Sequence, residues 1–228
     1  TNHLISQILP KYQITSSRVP LLNSQDLEQE LVTNPDTKIV YLETPANPTM
    51  SIIDIRETVR VAHAHGASVV VDNTFATPVL QRPLTMGADV VIHSTTKFIN
   101  GHGTVIGGAL ASRHPDFIEE GGGALLRYMG AVPSAIDCWL TSIGLKTLPL
   151  RMREHCSNAR ALASFLESSD KVGRIYWPGL RSHPQHEVAA KQMDDFGAMI
   201  TIDLGDAISA RRFMDALQMS SLAVSLGN

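Results

Sequence analysis

The residues with the greatest potential for chemistry follow two apolar segments in the first half of the chain. Residues 68–72 read SVVVD and end in the Asp72 carboxylate, and residues 89–93 read DVVIH and are followed by STTK at 94–97. Short apolar runs bounded by turn residues are typical of buried strands. In an open parallel sheet, ligands bind beyond the carboxyl ends of the strands. We therefore expect Asp72 and the 94–97 segment to face one ligand.

These residue types suit pyridoxal phosphate. A lysine amine can hold the aldehyde of this cofactor as a Schiff base, and a carboxylate can keep its pyridine nitrogen protonated so that the ring withdraws electrons. Lys97 fits the first role and Asp72 the second, while Ser94 and Thr96 supply hydroxyls for the phosphate. Taken singly, Asp72 is as typical of an Asx turn and the hydroxyls of a helix cap. Their combination with the lysine favours the cofactor.

The motifs that surround these residues resemble a known family. VVVDNTF and HSTTKFINGHG are similar to the trans-sulfuration (Cys/Met metabolism) group of fold-type I pyridoxal phosphate enzymes. This group includes cystathionine γ-synthase, cystathionine γ-lyase, cystathionine β-lyase, methionine γ-lyase and the homoserine sulfhydrylases. The resemblance covers nearly the whole chain and continues through YLETPANPT (41–49), GAVPSAIDCWL and GLKTLPLRM (130–152), PGLRSHPQHE (178–187) and AVSLGN (223–228).

The resemblance implies roles for individual residues. Lys97 would form the internal aldimine, and the two hydroxyl residues named above would hold the phosphate. Asn47 would lie near the phenolic oxygen of the cofactor and the substrate carboxylate, and Glu43 would support this loop and the adjoining substrate site. Ser225 would help to bind the substrate carboxylate. From the residues alone, Asn47 is also typical of a turn between two prolines, and Ser225 of an ordinary strand end.

Alternating apolar and turn-rich segments favour an α/β fold with a mostly parallel sheet. The pattern predicts strands at 13–19, 38–42, 68–72, 89–93, 105–111, 172–177, 198–204 and 221–226. It predicts helices at 2–9, 24–32, 54–65, 133–144, 148–168 and 207–217. We place a domain boundary near residue 150, between a large pyridoxal phosphate-binding α/β domain (1–150) and a smaller α+β C-terminal domain (151–228). The resemblance implies fold type I, aspartate-aminotransferase-like, with a seven-stranded-type sheet between helices.

Family members are longer at both ends than this sequence. We therefore expect an N-terminal arm, a glycine-containing phosphate-binding turn and a ring-stacking tyrosine to lie before residue 1. An arginine that clamps the substrate carboxylate is expected after residue 228. The segment EEGGGALL (119–126) contains three glycines where family members have a longer connection. One interpretation is that the sequence joins two segments across a gap here, so we assign no role to these residues.

Composition narrows the class of protein. The chain has 228 residues, 43% of them hydrophobic and 18% charged, with a net charge of −3, as in soluble globular proteins. This charge gives no indication of a nucleic acid or anionic membrane partner. No signal peptide, membrane span or metal-ligand spacing is evident, and residues 101–108 lack the G-x-G-x-x-G pattern of a dinucleotide loop. Cys138 and Cys156 are expected to be reduced core thiols of a cytoplasmic protein.

The function expected from this resemblance is γ-elimination on a sulfur amino acid, of the cystathionine or methionine γ-lyase type, with Lys97 as the catalytic residue. The alternative within the family is γ-replacement by a cystathionine γ-synthase or an O-acyl-homoserine sulfhydrylase. An alternative of another class is a non-catalytic scaffold protein. The resemblance also implies a homotetramer, a dimer of dimers with each active site shared between subunits.

Overall fold

The main sheet lies in the first half of the chain. The computed structural model describes residues 3–20, 23–223 and 225–227. Four strands lie in the spatial order β1 (Ile39–Glu43), β2 (Ser68–Asp72), β3 (Val90–Ser94) and β4 (Gly108–Ser112). The first three are parallel, and β4 is antiparallel to β3. The α/β fold expected from the sequence is therefore confirmed in its coarse form, a mixed sheet with helices.

Helices and short helical turns connect and cover the strands. The α-helices are α1 (Ser24–Thr33), α2 (Ile55–Ala64), α3 (Thr77–Leu80), α4 (Gly123–Met129), α5 (Ala135–Glu167), α6 (His186–Gln192) and α7 (Ala207–Ala216). Single turns of π- or 3₁₀-helix lie at Leu4–Ile8, Leu9–Tyr12, Pro83–Met86, Thr95–Ile99 and Phe117–Gly122. A second, two-stranded antiparallel sheet pairs β5 (Arg174–Tyr176) with β6 (Thr201–Asp203).

The two faces of the main sheet differ. Side chains alternate between the faces along a strand, and one set is buried beneath α1 and α2. This core contains Leu27, Leu31, Val40, Leu42, Ile55, Val59, Val61, Ala62, Ala67, Val69, Val71 and Ala88. The intervening residues Tyr41, Glu43, Val70 and Asp72 point to the opposite face and are only half-buried. The face opposite the helical layer therefore carries the polar groups.

Helix α5 is a single helix of 33 residues, whereas the sequence predicted two helices separated near residue 145. It begins with a capping box in which Ser134 and Asp137 exchange side-chain and main-chain hydrogen bonds. It continues through Pro149 because the residues around the proline are buried against the Thr95–Ile99 turn. Neither α5 nor any other helix among the described residues has both the length and the apolar character needed to cross a bilayer.

Other expectations from the sequence require correction. Residues 13–19 form no strand, since a 3₁₀ turn at Leu9–Tyr12 leads into an unpaired segment. The strand expected at 221–226 is absent from 221–223 and 225–227, and Val224 lies outside the described residues. Cys156 is buried, but Cys138 is exposed on α5 and is not a core thiol.

A buried carboxylate joins three segments at the amino ends of the strands. The side chain of Asp89, 11% exposed, accepts hydrogen bonds from the N–H of Val69 at 2.7 Å and from the Nε2 atoms of His63 at 2.8 Å and His114 at 3.0 Å. Burial by itself would raise the pKa of Asp89, but these hydrogen bonds hold it below its usual value. Asp89 therefore fastens α2 and the loop after β4 to the sheet.

Replacement of Asp89 should destabilise the protein in a pH-dependent way. Because the folded-state pKa of Asp89 is lowered, its contribution is present above the unfolded-state pKa and is lost as pH falls through the folded-state pKa. Asp89→Asn should lower the free energy of unfolding at neutral pH by about 1–3 kcal/mol. The difference from wild type should narrow in acid. Denaturant unfolding across pH measures this, with the exposed Asp36→Asn as control, and a pH-independent difference would contradict it.

Candidate active site

The carboxyl ends of the three parallel strands bring several polar residues to one edge of the sheet. Glu43, the last residue of β1, pairs in register with Asp72, the last residue of β2. Asp72 lies opposite Ile92 of β3, and Ser94 ends that strand two residues later. The Thr95–Ile99 turn follows immediately. The geometry therefore places Asp72 and the 94–97 segment at the same edge.

Asp72 is held by hydrogen bonds to both of its carboxylate oxygens. Its Oδ1 accepts the main-chain N–H of Thr74 at 3.0 Å and the Thr74 hydroxyl at 2.6 Å. Its Oδ2 accepts the hydroxyl of Tyr41 at 3.1 Å. The bond to the N–H two residues later is an Asx turn, which the sequence offered as the simpler interpretation of Asp72. The turn and a ligand-binding role are compatible because the carboxylate remains half-buried at the edge.

Thr74 connects the ends of two strands through a single hydroxyl. While this hydroxyl donates to Asp72 Oδ1, it accepts the main-chain N–H of Ser94 at 2.9 Å. The carboxylate at the end of β2 is therefore fixed relative to the end of β3. Thr74 was not singled out from the sequence.

Lys97 lies within a helical turn but interrupts it. Its backbone angles, φ −91° and ψ −133°, are not helical. The amine donates a hydrogen bond to the Ser225 hydroxyl at 3.1 Å. Gly227, with φ +87°, lies so close to the turn that a Cβ atom would come within 2.7 Å of the Phe98 nitrogen. The 225–227 segment is thus packed directly on the lysine turn, and Ser225 contacts the amine.

The two hydroxyl residues expected to hold a phosphate differ in their contacts. The Thr96 hydroxyl accepts the N–H of Gly107 at 3.0 Å and donates to its carbonyl at 3.3 Å. The Ser94 hydroxyl is half-buried and makes no hydrogen bond within the described part of the chain. Ser94 can therefore donate to a phosphate directly, whereas Thr96 must first release the Gly107 carbonyl. Both roles stay predictions.

Glu43 and Asn47 are connected through the main chain. Glu43 Oε1 accepts the N–H of Asn47 at 3.1 Å, and the Asn47 side chain is exposed. Burial raises the pKa of Glu43, and the negative charge of Asp72 raises it further. The hydrogen bond from the N–H of Asn47 acts in the opposite direction and lowers it. The carboxylates of Glu43 and Asp72 therefore interact at the strand ends. Among the described residues, the Asn47 side chain makes no hydrogen bond to Lys97 or Asp72.

A network of buried side-chain amides lies beneath the strand ends. Gln81, 1% exposed, donates from Nε2 to the Thr44 carbonyl at 3.0 Å and to Asn73 Oδ1 at 2.9 Å. Its Oε1 accepts a bond from Gln192 of α6 at 3.0 Å, and its carbonyl accepts one from Asn73 Nδ2 at 2.9 Å. Thr44 and Asn73 directly follow Glu43 and Asp72. The network therefore fixes the two loops that carry the carboxylates.

Sequence reasoning missed three residues that contact the site: Tyr41, Thr74 and Arg151. Tyr41 shares a face with Glu43 and pairs in register with Val70, so it lies diagonally opposite Asp72, within reach of a long side chain. That relation could have been found from strand alternation once β1 and β2 were aligned. Arg151 donates to the carbonyl of Phe98, which lies 53 residues earlier in the chain, and no local sequence pattern indicates this contact.

These residues fit the pyridoxal phosphate expected from the sequence. Lys97 supplies an amine at the edge of the sheet, and Asp72 supplies a carboxylate whose position is fixed by Thr74 and Tyr41. Ser94 supplies a hydroxyl donor for a phosphate. The site therefore contains an amine that can bind the aldehyde, a carboxylate that can pair with the ring nitrogen and a hydroxyl that can donate to the phosphate. These are the groups that this cofactor requires.

Comparisons with known proteins agree on one family. The sequence model described as Cys/Met metabolism PLP-dependent enzyme matches residues 1–228. The chain is 44% identical over 227 residues to a cystathionine beta-lyase of Lactococcus lactis subsp. cremoris, covering 100% of this chain and 59% of that protein. It is 44% identical over 223 residues to an L-methionine gamma-lyase of Porphyromonas gingivalis, covering 96% of this chain and 55% of that protein.

A solved structure shows the same fold. The crystal structure of cystathionine gamma synthase from Xanthomonas oryzae pv. oryzae in complex with aminoacrylate and cysteine superposes with a TM-score of 0.94 and 40% sequence identity. The alignment covers 99% of this chain and 58% of that one. The chain therefore spans less than two thirds of the length of the proteins it matches.

The bridging hydroxyl of Thr74 should contribute to cofactor binding. Thr74→Val removes the donor to Asp72 Oδ1 and leaves the N–H of Ser94 without its acceptor. We expect the dissociation constant for pyridoxal phosphate to rise about tenfold, as for a loss of ~1.4 kcal/mol. Fluorescence titration of the cofactor-free protein measures this. Thr74→Ser, which keeps the hydroxyl, is the matched control, and a Thr74→Val protein with wild-type affinity would contradict the role.

Proposed function

Because this chain belongs to the Cys/Met metabolism family of PLP-dependent enzymes, we propose that the protein catalyses γ-elimination on a sulfur amino acid of the cystathionine or methionine type. The observation that carries the proposal is the placement of the Lys97 amine, against Ser225, at the same sheet edge as the Asp72 carboxylate. A lysine and a carboxylate with fixed partners at the carboxyl ends of parallel strands suit this chemistry.

Pyridoxal phosphate, when bound, supplies an electron sink that stabilises negative charge at the α-carbon of an amino acid. Asp72 would hold the pyridine nitrogen, and Ser94 together with Thr96 would hold the phosphate. The Lys97 amine would attach the cofactor and, once released by the substrate, would move protons at the substrate carbons. Its contact with Ser225 Oγ gives the amine a defined position for this transfer.

The substrate carboxylate requires partners of its own. We assign this role to the Asn47 side chain, which is exposed at the edge, and to Ser225 with the adjoining main chain. Glu43 would hold the loop through the N–H of Asn47. Ser225 would therefore act twice, as a partner of the Lys97 amine and as a neighbour of the substrate.

Two other reactions have support among the relatives. γ-Replacement is favoured by the likeness to a cystathionine gamma synthase structure at 40% identity, and β-elimination by the 44% identity to a cystathionine beta-lyase. The residues that bind the cofactor would be shared by all three reactions. The choice among them lies in how the substrate side chain is held, so a product assay is needed.

The finer features of the fold and assembly are part of the same proposal. We infer a fold-type I protein in which the four described strands belong to a sheet of the seven-stranded type, with a large domain up to about residue 150 and a smaller C-terminal domain. We also infer a cytoplasmic homotetramer with active sites shared between subunits. Large apolar side chains on α4 and near the start of α5 are exposed and support a protein interface there, namely Tyr128, Met129, Ile136 and Trp139.

Attachment of the cofactor to Lys97 can be tested directly. Borohydride reduction of the holoenzyme followed by peptide mapping should find the mass of the reduced cofactor on Lys97, and Lys97→Ala should lose both the label and the turnover. Lys146, which is exposed on α5, provides the matched control as Lys146→Ala, which should keep both. An unlabelled Lys97 in folded, cofactor-supplemented protein would favour the scaffold alternative and contradict the proposal.

The reaction type can be read from the keto acid product. With cystathionine, and with methionine in parallel, we expect the protein to break the bond between sulfur and the γ-carbon and, with the uptake of water, to release 2-oxobutyrate, ammonia and the thiol. Pyruvate from cystathionine would instead establish β-elimination. If neither keto acid forms, an activated homoserine with a thiol tests γ-replacement, and thioether formation there would exclude a lyase.

A further inference from the structure

The guanidinium of Arg151 is bound to the turn that carries Lys97. Arg151 projects from α5, and its Nη1 donates to the Phe98 carbonyl at 2.7 Å. Its Nη2 donates to the Ile99 carbonyl at 3.3 Å and to the Gly144 carbonyl at 2.8 Å. Two of these acceptors are the first two carbonyls after Lys97. Carbonyls at the end of a helical turn lack partners within the turn, and here one cation satisfies both.

The remaining contacts of Arg151 fix its orientation. Its Nε donates to the Thr147 hydroxyl at 3.0 Å, and that hydroxyl donates to the Gly144 carbonyl at 3.1 Å. Burial lowers the pKa of Arg151, so part of its hydration shell has been removed. The carbonyl oxygens replace the lost water, and a partly desolvated cation binds such oxygens more strongly than an exposed one does.

Two glycines leave the space that this contact needs. A Cβ atom on Gly101, where φ is +64°, would overlap the Arg151 guanidinium. A Cβ atom on Gly144 would overlap the Asn100 carbonyl, where α5 crosses the turn. Larger residues at either position would push α5 away from the lysine turn. The chain therefore keeps the helix and the turn at close approach.

Apolar packing holds the same turn from another direction. Phe98 and Ile99 are buried in a cluster with Leu148 and Met152 of α5. The Phe98 ring also packs edge-on against His155, with ring centroids 5.4 Å apart. The main chain on the carboxyl side of Lys97 is thus held by polar and apolar contacts to one helix. The Lys97 backbone itself is not helical, so these contacts decide its direction.

We propose that Arg151 is a positioning residue for Lys97, an inference that rests on the proposed function of that lysine. By holding the Phe98 and Ile99 carbonyls, Arg151 fixes the main chain from which the lysine side chain reaches the Ser225 hydroxyl at the sheet edge. Reaction rates fall steeply when a reacting group is displaced by about 1 Å. Arg151 thereby acts on catalysis through the position of the amine, without touching the substrate or the cofactor.

Substitution of Arg151 should lower kcat much more than it raises KM. In the holoenzyme, Arg151→Met should reduce kcat by about 10- to 100-fold with KM within about threefold of wild type. It should also shift the pH midpoint of the bound cofactor's visible absorbance and slow borohydride trapping at Lys97. Arg151→Lys, which keeps the charge and can reach one carbonyl, should recover part of the loss. Arg153→Met, on the exposed side of the same helix, is the matched control and should change none of these quantities.

The outcomes separate this inference from the proposed function. If wild-type Lys97 is not trapped, the proposed function fails. If wild-type Lys97 is trapped but a folded Arg151→Met protein keeps the wild-type kcat and absorbance pH profile, the inference about Arg151 is overturned. If Arg151→Met does not fold, Thr147→Val loosens the guanidinium through Nε alone. That variant should then show a smaller loss of kcat, and a wild-type kcat would overturn the inference.

Discussion

The arrangement of the site depends on a buried side-chain amide, that of Gln81. Its hydrogen bonds reach the residue after Glu43 and the residue after Asp72, and through Gln192 they reach a helix more than a hundred residues later in the chain. A buried amide left without partners is costly, so such a network favours one arrangement of the loops it joins. The loops that follow the two carboxylates are therefore connected to the second half of the chain by these hydrogen bonds.

The residues at the carboxyl edge of the sheet could be predicted because they follow strong local sequence patterns. Each of the strands β2 and β3 is an apolar run that ends in polar residues, and parallel pairing brings those ends together. The helices predicted at 24–32 and 54–65 begin where Asn23 and Asp54 accept a main-chain N–H of the first turn, which is a contact between residues close in sequence. Elements of this kind are encoded by neighbours in sequence.

The features that could not be predicted depend on contacts between distant segments. The interruption expected near residue 145 does not occur, because burial of Leu148 and Met152 outweighs the preference of Pro149 to end a helix. The segment at 13–19 was predicted as a strand but has no neighbouring strand to pair with among the described residues. The contact between Lys97 and Ser225 joins residues 128 positions apart, and only the folded chain shows it.

The Asp89 cluster lies at the opposite end of β3 from the lysine turn, a separation of roughly 16 Å along the strand. One end of the sheet therefore contains a hydrogen-bonded carboxylate that holds segments together, and the other contains Asp72 and the lysine turn of the candidate site. The residues that hold these segments together are therefore different from the residues of the candidate site. Substitutions of His63 or His114 can therefore change the stability of the fold without altering any residue of the candidate site, which lowers the usual conflict between stabilising changes and function.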